Sequence, residues 1–122
     1  MKLMIIDDHA GMRTTIRQLV CAPSDTVMEC GSGDDALVAF NSFKADCVTV
    51  DISMPGQSAF KTIRAIRETH PNTRVICVTG HDLPDYRRAA FEAGAAGFVL
   101  KDNLSDLYIL VATKRLITNL QV

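Results

Sequence analysis

Apolar residues along the chain gather into five short runs, KLMII (2–6), TVMEC (26–30), CVTV (47–50), RVICV (74–78) and GFVL (97–100), with longer mixed stretches between them. Each run is rich in β-branched or aliphatic side chains and too short for a helix, so each predicts a strand. The stretches between carry a different period. Met12, Ile16, Leu19 and Val20 repeat at the spacing of one helical face, as do Ala36, Leu37, Phe40 and Phe43. The pattern is a strand and a helix, repeated five times. Runs that are apolar nearly throughout, instead of alternating, predict a parallel sheet covered by helices on both faces: an α/β, doubly wound five-stranded sandwich.

Breakers agree with that division. Pro23, Pro71 and Pro84 fall where helices should stop or start, and GSG at 31–33 predicts a loop before Asp34, read as the N-cap of the second helix. From Asn103 to Leu120, the positions of Leu104, Leu107, Tyr108, Val111 and Leu116 predict one buried helical stripe capped by Asp102 or Asn103. Ile117 and Leu120 remain as exposed hints of an interface. With no long linker and no low-complexity tract, the 122 residues predict one domain, 1–122. A domain of that size buries roughly two-thirds of the surface its unfolded chain exposes.

Composition narrows the function classes. The chain is 48% apolar and 22% charged with a net charge of −1, which supplies no electrostatic reason for direct binding to nucleic acid or a membrane. MKLMIIDD has too short an apolar core for a signal peptide or a membrane span, so a cytoplasmic location is expected. Cys21, Cys30, Cys47 and Cys77 lack the close spacing of a zinc or redox motif. They read as small buried thiols in a reducing compartment.

Candidate chemistry follows from where the strands end. In an open parallel sheet, loops at the carboxyl ends of the strands build the ligand site, at the point where strand order reverses. The first strand ends in Asp7 and Asp8, the third in Asp51, the fourth in Thr79 and the fifth in Lys101. If the strand order is 2-1-3-4-5, strands one and three are neighbours and the three carboxylates crowd together. Two carboxylates about 4 Å apart repel by roughly 4 kcal/mol at an effective dielectric near 20, so a cation is expected among them. Lys101 offsets part of that charge, and a hard divalent ion such as Mg²⁺ suits the oxygen donors. A lone strand-end aspartate is commonly a turn or cap residue, but four strand ends agreeing argue for a site.

These residues resemble the receiver domain of two-component response regulators over essentially the whole chain. IIDDH resembles the acidic pair of that family, VTVDISMPG its phosphoacceptor loop, VICVTG its hydroxyl-bearing strand and AGAAGFVLKD its lysine segment with a preceding aromatic. IDDH with GAAGFVLKD is most similar to the subfamily that carries a C-terminal helix-turn-helix output domain.

The resemblance implies a flavodoxin-like sandwich of order 2-1-3-4-5. It also implies phosphotransfer from a histidine kinase or phosphotransfer protein to Asp51, followed by slow autodephosphorylation. Asp8 and Asp51 would hold Mg²⁺ directly, Asp7 largely through water, and Ser53 through its backbone carbonyl. Thr79 and Lys101 would meet the phosphoryl group, and Phe98 would be the switch aromatic; a fixed core aromatic is the other reading of Phe98. Partners implied are the kinase and a second copy, through the helix 4, strand 5, helix 5 surface or through helices 1 and 5. DNA would be reached only through an output domain absent from this sequence, and no membrane partner is expected.

The sequence departs from the family pattern at two places. Ala59 stands where glycine is usual, which is expected to alter a loop backbone that favours positive φ, and Ala10 stands where proline is common. Gln57 and Ser53 are candidates for setting the dephosphorylation rate. His9 and His81 flank the pocket as bystanders, and Gly80 is either a simple turn residue or room for the loop to move. A second function, a Mg²⁺-dependent aspartyl phosphatase, needs an acid two residues after the nucleophile, where this chain has Ser53. A third, a binding module indifferent to phosphorylation, leaves so complete a pocket unexplained.

Overall fold

The computed structural model describes residues 1–54 and 59–120. Five strands, β1 (Lys2–Ile6), β2 (Thr26–Cys30), β3 (Cys47–Asp51), β4 (Arg74–Thr79) and β5 (Gly97–Leu100), alternate with five helices, α1 (Ala10–Val20), α2 (Gly33–Phe43), α3 (Ala59–Thr69), α4 (Pro84–Ala93) and α5 (Ser105–Leu120). The sheet is parallel throughout and ordered β2-β1-β3-β4-β5. Chain order reverses across β1, so the tips of β1 and β3 lie side by side.

Side chains alternate between the two faces of each strand. Leu3 and Ile5 pack with Ile16, Val20, Ile76, Leu107 and Val111 under α1 and α5. Met4 and Ile6 pack with Phe40, Val48, Val50, Ile63 and Ile66 under α2 and α3, with Ala90 of α4 joining them. Each large buried side chain contributes roughly 1.5–3 kcal/mol relative to exposure. That double burial is why the central strands read as unbroken apolar runs. β2 departs from that expectation: Thr26 and Glu29 are exposed and Val27 and Met28 only half-buried, because an edge strand pairs with β1 alone.

Helix ends correct one sequence-based expectation and refine another. The N-cap of α2 is Ser32, whose hydroxyl accepts the Asp35 N–H at 3.1 Å; Asp34 lies inside the first turn, where its charge favours the helix dipole. At α5, the Asn103 side chain donates to Asp106 Oδ2 at 2.8 Å and accepts from the Ser105 hydroxyl at 3.0 Å, supporting the first turn through side chains. Asp102 sits in the preceding turn. Two glycines answer close approaches. Gly33 lets α2 meet α3, since a Cβ there would stand 2.4 Å from Thr62 Oγ1, and Gly94 ends α4 at φ 111°.

The stripe on α5 also differs from the expected one. Leu107, Val111 and Lys114 face inward, whereas Tyr108 is 51% and Leu116 is 63% exposed. The buried positions follow i, i+4, i+7, and Leu116 lies about 140° around the helix from Val111. Lys114 occupies the third inward position because its ammonium donates to the Asn72 carbonyl at 2.8 Å. Ile117 and Leu120 are exposed as expected. All four cysteines are free, and burial pushes the Cys47 and Cys77 thiols up to about 12. Among the described residues, no helix is long and apolar enough to cross a membrane.

Candidate functional site

Asp51 is the last residue of β3 and is 3% exposed. Its Oδ1 accepts the Ser53 N–H at 2.9 Å and the Ser53 hydroxyl at 2.7 Å, while its Oδ2 meets the Lys101 ammonium at 3.1 Å. Asp7 follows β1 and is 1% exposed. Its Oδ1 accepts the His9 N–H at 2.8 Å, and its Oδ2 lies 3.2 Å from the same ammonium. Among the described residues no hydrogen bond of ordinary geometry reaches that Oδ2; the contact with Lys101 is an ion pair. Lys101 is itself anchored just past β5, its N–H donating to the Thr79 carbonyl at 2.8 Å. One cation from the far side of β4 thus bridges two acids from adjacent strands.

Burial pulls the Asp51 pKa upward, but the hydrogen bonds from Ser53 and the Lys101 ammonium outweigh it and hold the carboxyl below its ordinary value. Lys101 shows the reciprocal effect: burial lowers its pKa, and Asp51 and Asp7 together raise it further. Asp51 is therefore an ionised carboxylate at neutral pH.

Asp8 differs from its neighbour. Its carboxylate is 30% exposed and lies 3.1 Å from His9 Nδ1. Asp7, Asp8 and His9 can each offer a ligand atom, and these atoms lie within 4.8 Å of one another. His9 is no bystander: the tight turn, closed by the Asp7 side chain on the His9 N–H, brings its ring to the acids. A buried carboxylate oxygen without a hydrogen bond, beside a more open acid, fits a hard divalent cation that keeps part of its water shell. No side-chain pattern marked a further neighbour, Arg13, whose Nη1 donates to the Asp7 carbonyl at 2.6 Å.

Thr79 is fully buried, and its hydroxyl accepts the His81 N–H at 3.1 Å, so His81 enters the site through its backbone. Phe98 packs partly buried against the core under α2 and α3, with the Arg87 guanidinium over its ring. An added Cβ at Gly80 would meet nothing within 4 Å, which leaves the loop after β4 open space. Ala59 is the buried first residue of α3, and the loop before it, residues 55–58, lies outside the described residues. Gln57 lies outside the described residues.

The sequence profile of the response regulator receiver domain matches residues 3–112. The chain belongs to this family. It is 35% identical over 116 residues to the nitrate/nitrite response regulator protein NarP of Escherichia coli K12, covering 93% of this receiver chain and 53% of NarP. To the oxygen regulatory protein NreC of Staphylococcus haemolyticus it is 32% identical over 117 residues, covering 93% and 54%. The receiver chain thus spans about half the length of these relatives. Among solved structures it is similar to a DNA-binding response regulator of the LuxR family from Staphylococcus aureus, at TM-score 0.78 and 28% identity over 92% of this chain and 93% of that one. The BeF3-activated DrrB receiver domain gives TM-score 0.82 and 27% identity, covering 93% and 95%. The receiver is a signalling domain of two-component systems, related to NarP and NarL.

Proposed function

We propose that residues 1–122 form one receiver that takes a phosphoryl group on Asp51 from the phosphohistidine of a kinase or phosphotransfer protein. A carboxylate oxygen of Asp51 attacks phosphorus, the P–N bond to the donor imidazole breaks, and a P–O bond forms an acyl phosphate on Asp51. The observation that carries this reading is the state of Asp51: ionised, with one oxygen on Ser53 and the other on Lys101, beside a second buried acid. A carboxylate so held is oriented before the donor arrives, which is most of what phosphoryl transfer asks of a protein.

Asp8 and Asp51 would hold Mg²⁺ directly, Asp7 largely through water, and Ser53 through its backbone carbonyl. The ion, when bound, neutralises charge on the transferring group. Lys101 follows the new phosphoryl oxygens, and Thr79 exchanges its bond from the His81 N–H for one to the phosphoryl group. That draws in the loop after β4 and leaves space for Phe98, biasing the α4, β5 and α5 surface. The domain otherwise turns over only its own phosphate, by slow autodephosphorylation.

Exposed apolar residues on α4 and α5, including Phe91, Ile109 and Leu116, with Leu83 at the N-cap of α4, support pairing of two copies through the α4, β5, α5 face; Leu19 on α1 leaves the α1 and α5 face as the second choice. In a cytoplasmic regulator, the switched surface would control transcription through an output domain, and DNA would be met only there.

The test is mass spectrometry after incubation with acetyl phosphate and Mg²⁺. One phosphate should add to the wild type and none to Asp51→Asn. Unlabelled wild type, under conditions that label another receiver, would overturn the reading.

A further inference from the structure

We infer that Arg13 is a positioning residue for the cation site: it fixes the peptide that presents Asp8 and so sets the affinity for a divalent ion. This rests on the reading of the acidic pocket given above and adds a residue to it.

Asp8 has little of its own to hold it. Its carboxylate is 30% exposed and meets the His9 ring, which is 75% exposed. Where that carboxylate points therefore depends on the backbone of the Asp7–His9 turn; apart from the His9 carbonyl, which accepts the Met12 and Arg13 N–H groups at 3.1 Å, the turn is pinned at three places. The Asp7 N–H donates to the Cys30 carbonyl at 3.1 Å, continuing the sheet. The His9 N–H closes on Asp7 Oδ1 within the turn itself. The third pin is Arg13 Nη1 on the Asp7 carbonyl at 2.6 Å. That carbonyl belongs to the peptide joining Asp7 to Asp8, so its orientation sets ψ of Asp7 and φ of Asp8 together. Of the three pins, only Arg13 acts on this peptide.

The guanidinium is itself held. Arg13 Nε donates to Glu29 Oε1 at 3.0 Å, and the other oxygen of Glu29 accepts from Arg17 Nη1 at 3.1 Å. Glu29 comes from β2 and both arginines from α1, so the turn after β1 is tied to two neighbouring elements through one planar group. Arginine suits the task because its fork serves a carbonyl and a carboxylate at once; the single ammonium of lysine lacks that geometry.

Charge and geometry predict opposite signs, which makes the inference testable. Were Arg13 only a positive charge near a cation site, its removal would tighten cation binding. As a positioning residue, its removal weakens binding. Mg²⁺ is titrated into the unphosphorylated chain, and its dissociation constant is read from amide NMR shifts for the wild type, Arg13→Met, Arg13→Lys and Glu29→Gln. Arg13→Met should bind Mg²⁺ roughly tenfold more weakly, in line with the loss of other outer-shell partners of metal ligands. Arg13→Lys should recover little of this, and Glu29→Gln should fall between. The acetyl phosphate reaction of Arg13→Met should need more Mg²⁺ for half-maximal rate and reach the wild-type rate at saturation.

Equal or tighter Mg²⁺ binding in Arg13→Met would overturn the inference, as would a rate deficit that saturating Mg²⁺ does not restore. Should Arg13→Met fail to fold, Glu29→Gln decides, and wild-type affinity there counts against the proposal. A wild type that binds no Mg²⁺ removes the parent reading as well; a wild type that binds it alongside unaffected variants removes only the role of Arg13.

Discussion

The guanidinium of Arg87 lies over the ring of Phe98, 4.6 Å from its centroid, while donating to Asp82 Oδ1 at 3.0 Å. Arg87 belongs to α4, Phe98 to β5 and Asp82 to the loop after Thr79, so one side chain connects three parts of the surface proposed to switch. Arg87 is 46% exposed, which keeps its energetic share small. A cation over an aromatic face at an exposed site contributes about 0.5–1 kcal/mol, and an exposed ion pair less than that. Arg87→Ala should lower unfolding free energy by about 1 kcal/mol in urea titrations and shift the NMR signals of the Phe98 ring. Mg²⁺ affinity should stay at the wild-type value, because Arg87 touches neither Asp7 nor Asp51.

Lys101 is a different case, since it compensates two buried acids at once. Lys101→Met leaves Asp7 and Asp51 facing each other without their shared cation. Breaking a buried pair in this way costs about 3–5 kcal/mol, and the part of the charge exposed to solvent brings the expectation to the lower end. Chemical denaturation should show that loss. Added Mg²⁺ should raise the midpoint of Lys101→Met more than that of the wild type, because loss of the ammonium tightens cation binding and a ligand of the folded state stabilises by RT ln(1 + [L]/Kd). Equal shifts in both proteins would contradict the shared-cation account.

Acid should act through Asp51. Its native pKa is lowered, so ionised Asp51 contributes stability that is fully present above the unfolded carboxyl value and lost as pH falls through the native one. The loss should begin below about pH 4. Asp25, also lowered despite its burial, by Arg115, the Ala22 N–H and the chain N-terminus, adds to the same acid limb. Asp51→Asn should therefore flatten the stability profile on its acid side without abolishing the slope. Unchanged steepness would show that Asp51 is not the ionised partner described above.

Gly94 gives a prediction independent of the pocket. Its φ of 111° is strained for any residue with a side chain, and an added Cβ would stand 2.8 Å from Arg67 Cγ. Gly94→Ala should destabilise by more than about 1 kcal/mol, the conformational part alone being of that order. Gly80→Ala, with open space and no positive φ, serves as the control and should fall within about 0.5 kcal/mol of wild type in the same thermal or urea measurement.

The five strands, the helices between them and the placing of Asp7, Asp8, Asp51, Thr79 and Lys101 at one edge were all legible from the order of residues. Strand and helix periods are local properties, and a parallel β-α repeat leaves few ways to assemble them. What no local pattern carries is which side chains meet across the sheet. That Lys101 serves Asp7 and Asp51 together, that Arg13 grips the Asp7 carbonyl in the turn after β1, and that Glu29 holds Arg13 from an edge strand depend on register and strand order. The same limit explains α5, where Tyr108 and Leu116 matched an apolar stripe on paper. Lys114 took the inward place instead, because only the packed molecule brings the Asn72 carbonyl to its ammonium. Hydrophobic periodicity specifies faces; the partners of polar groups are chosen by long-range geometry, and in this protein the chemistry lies with those partners.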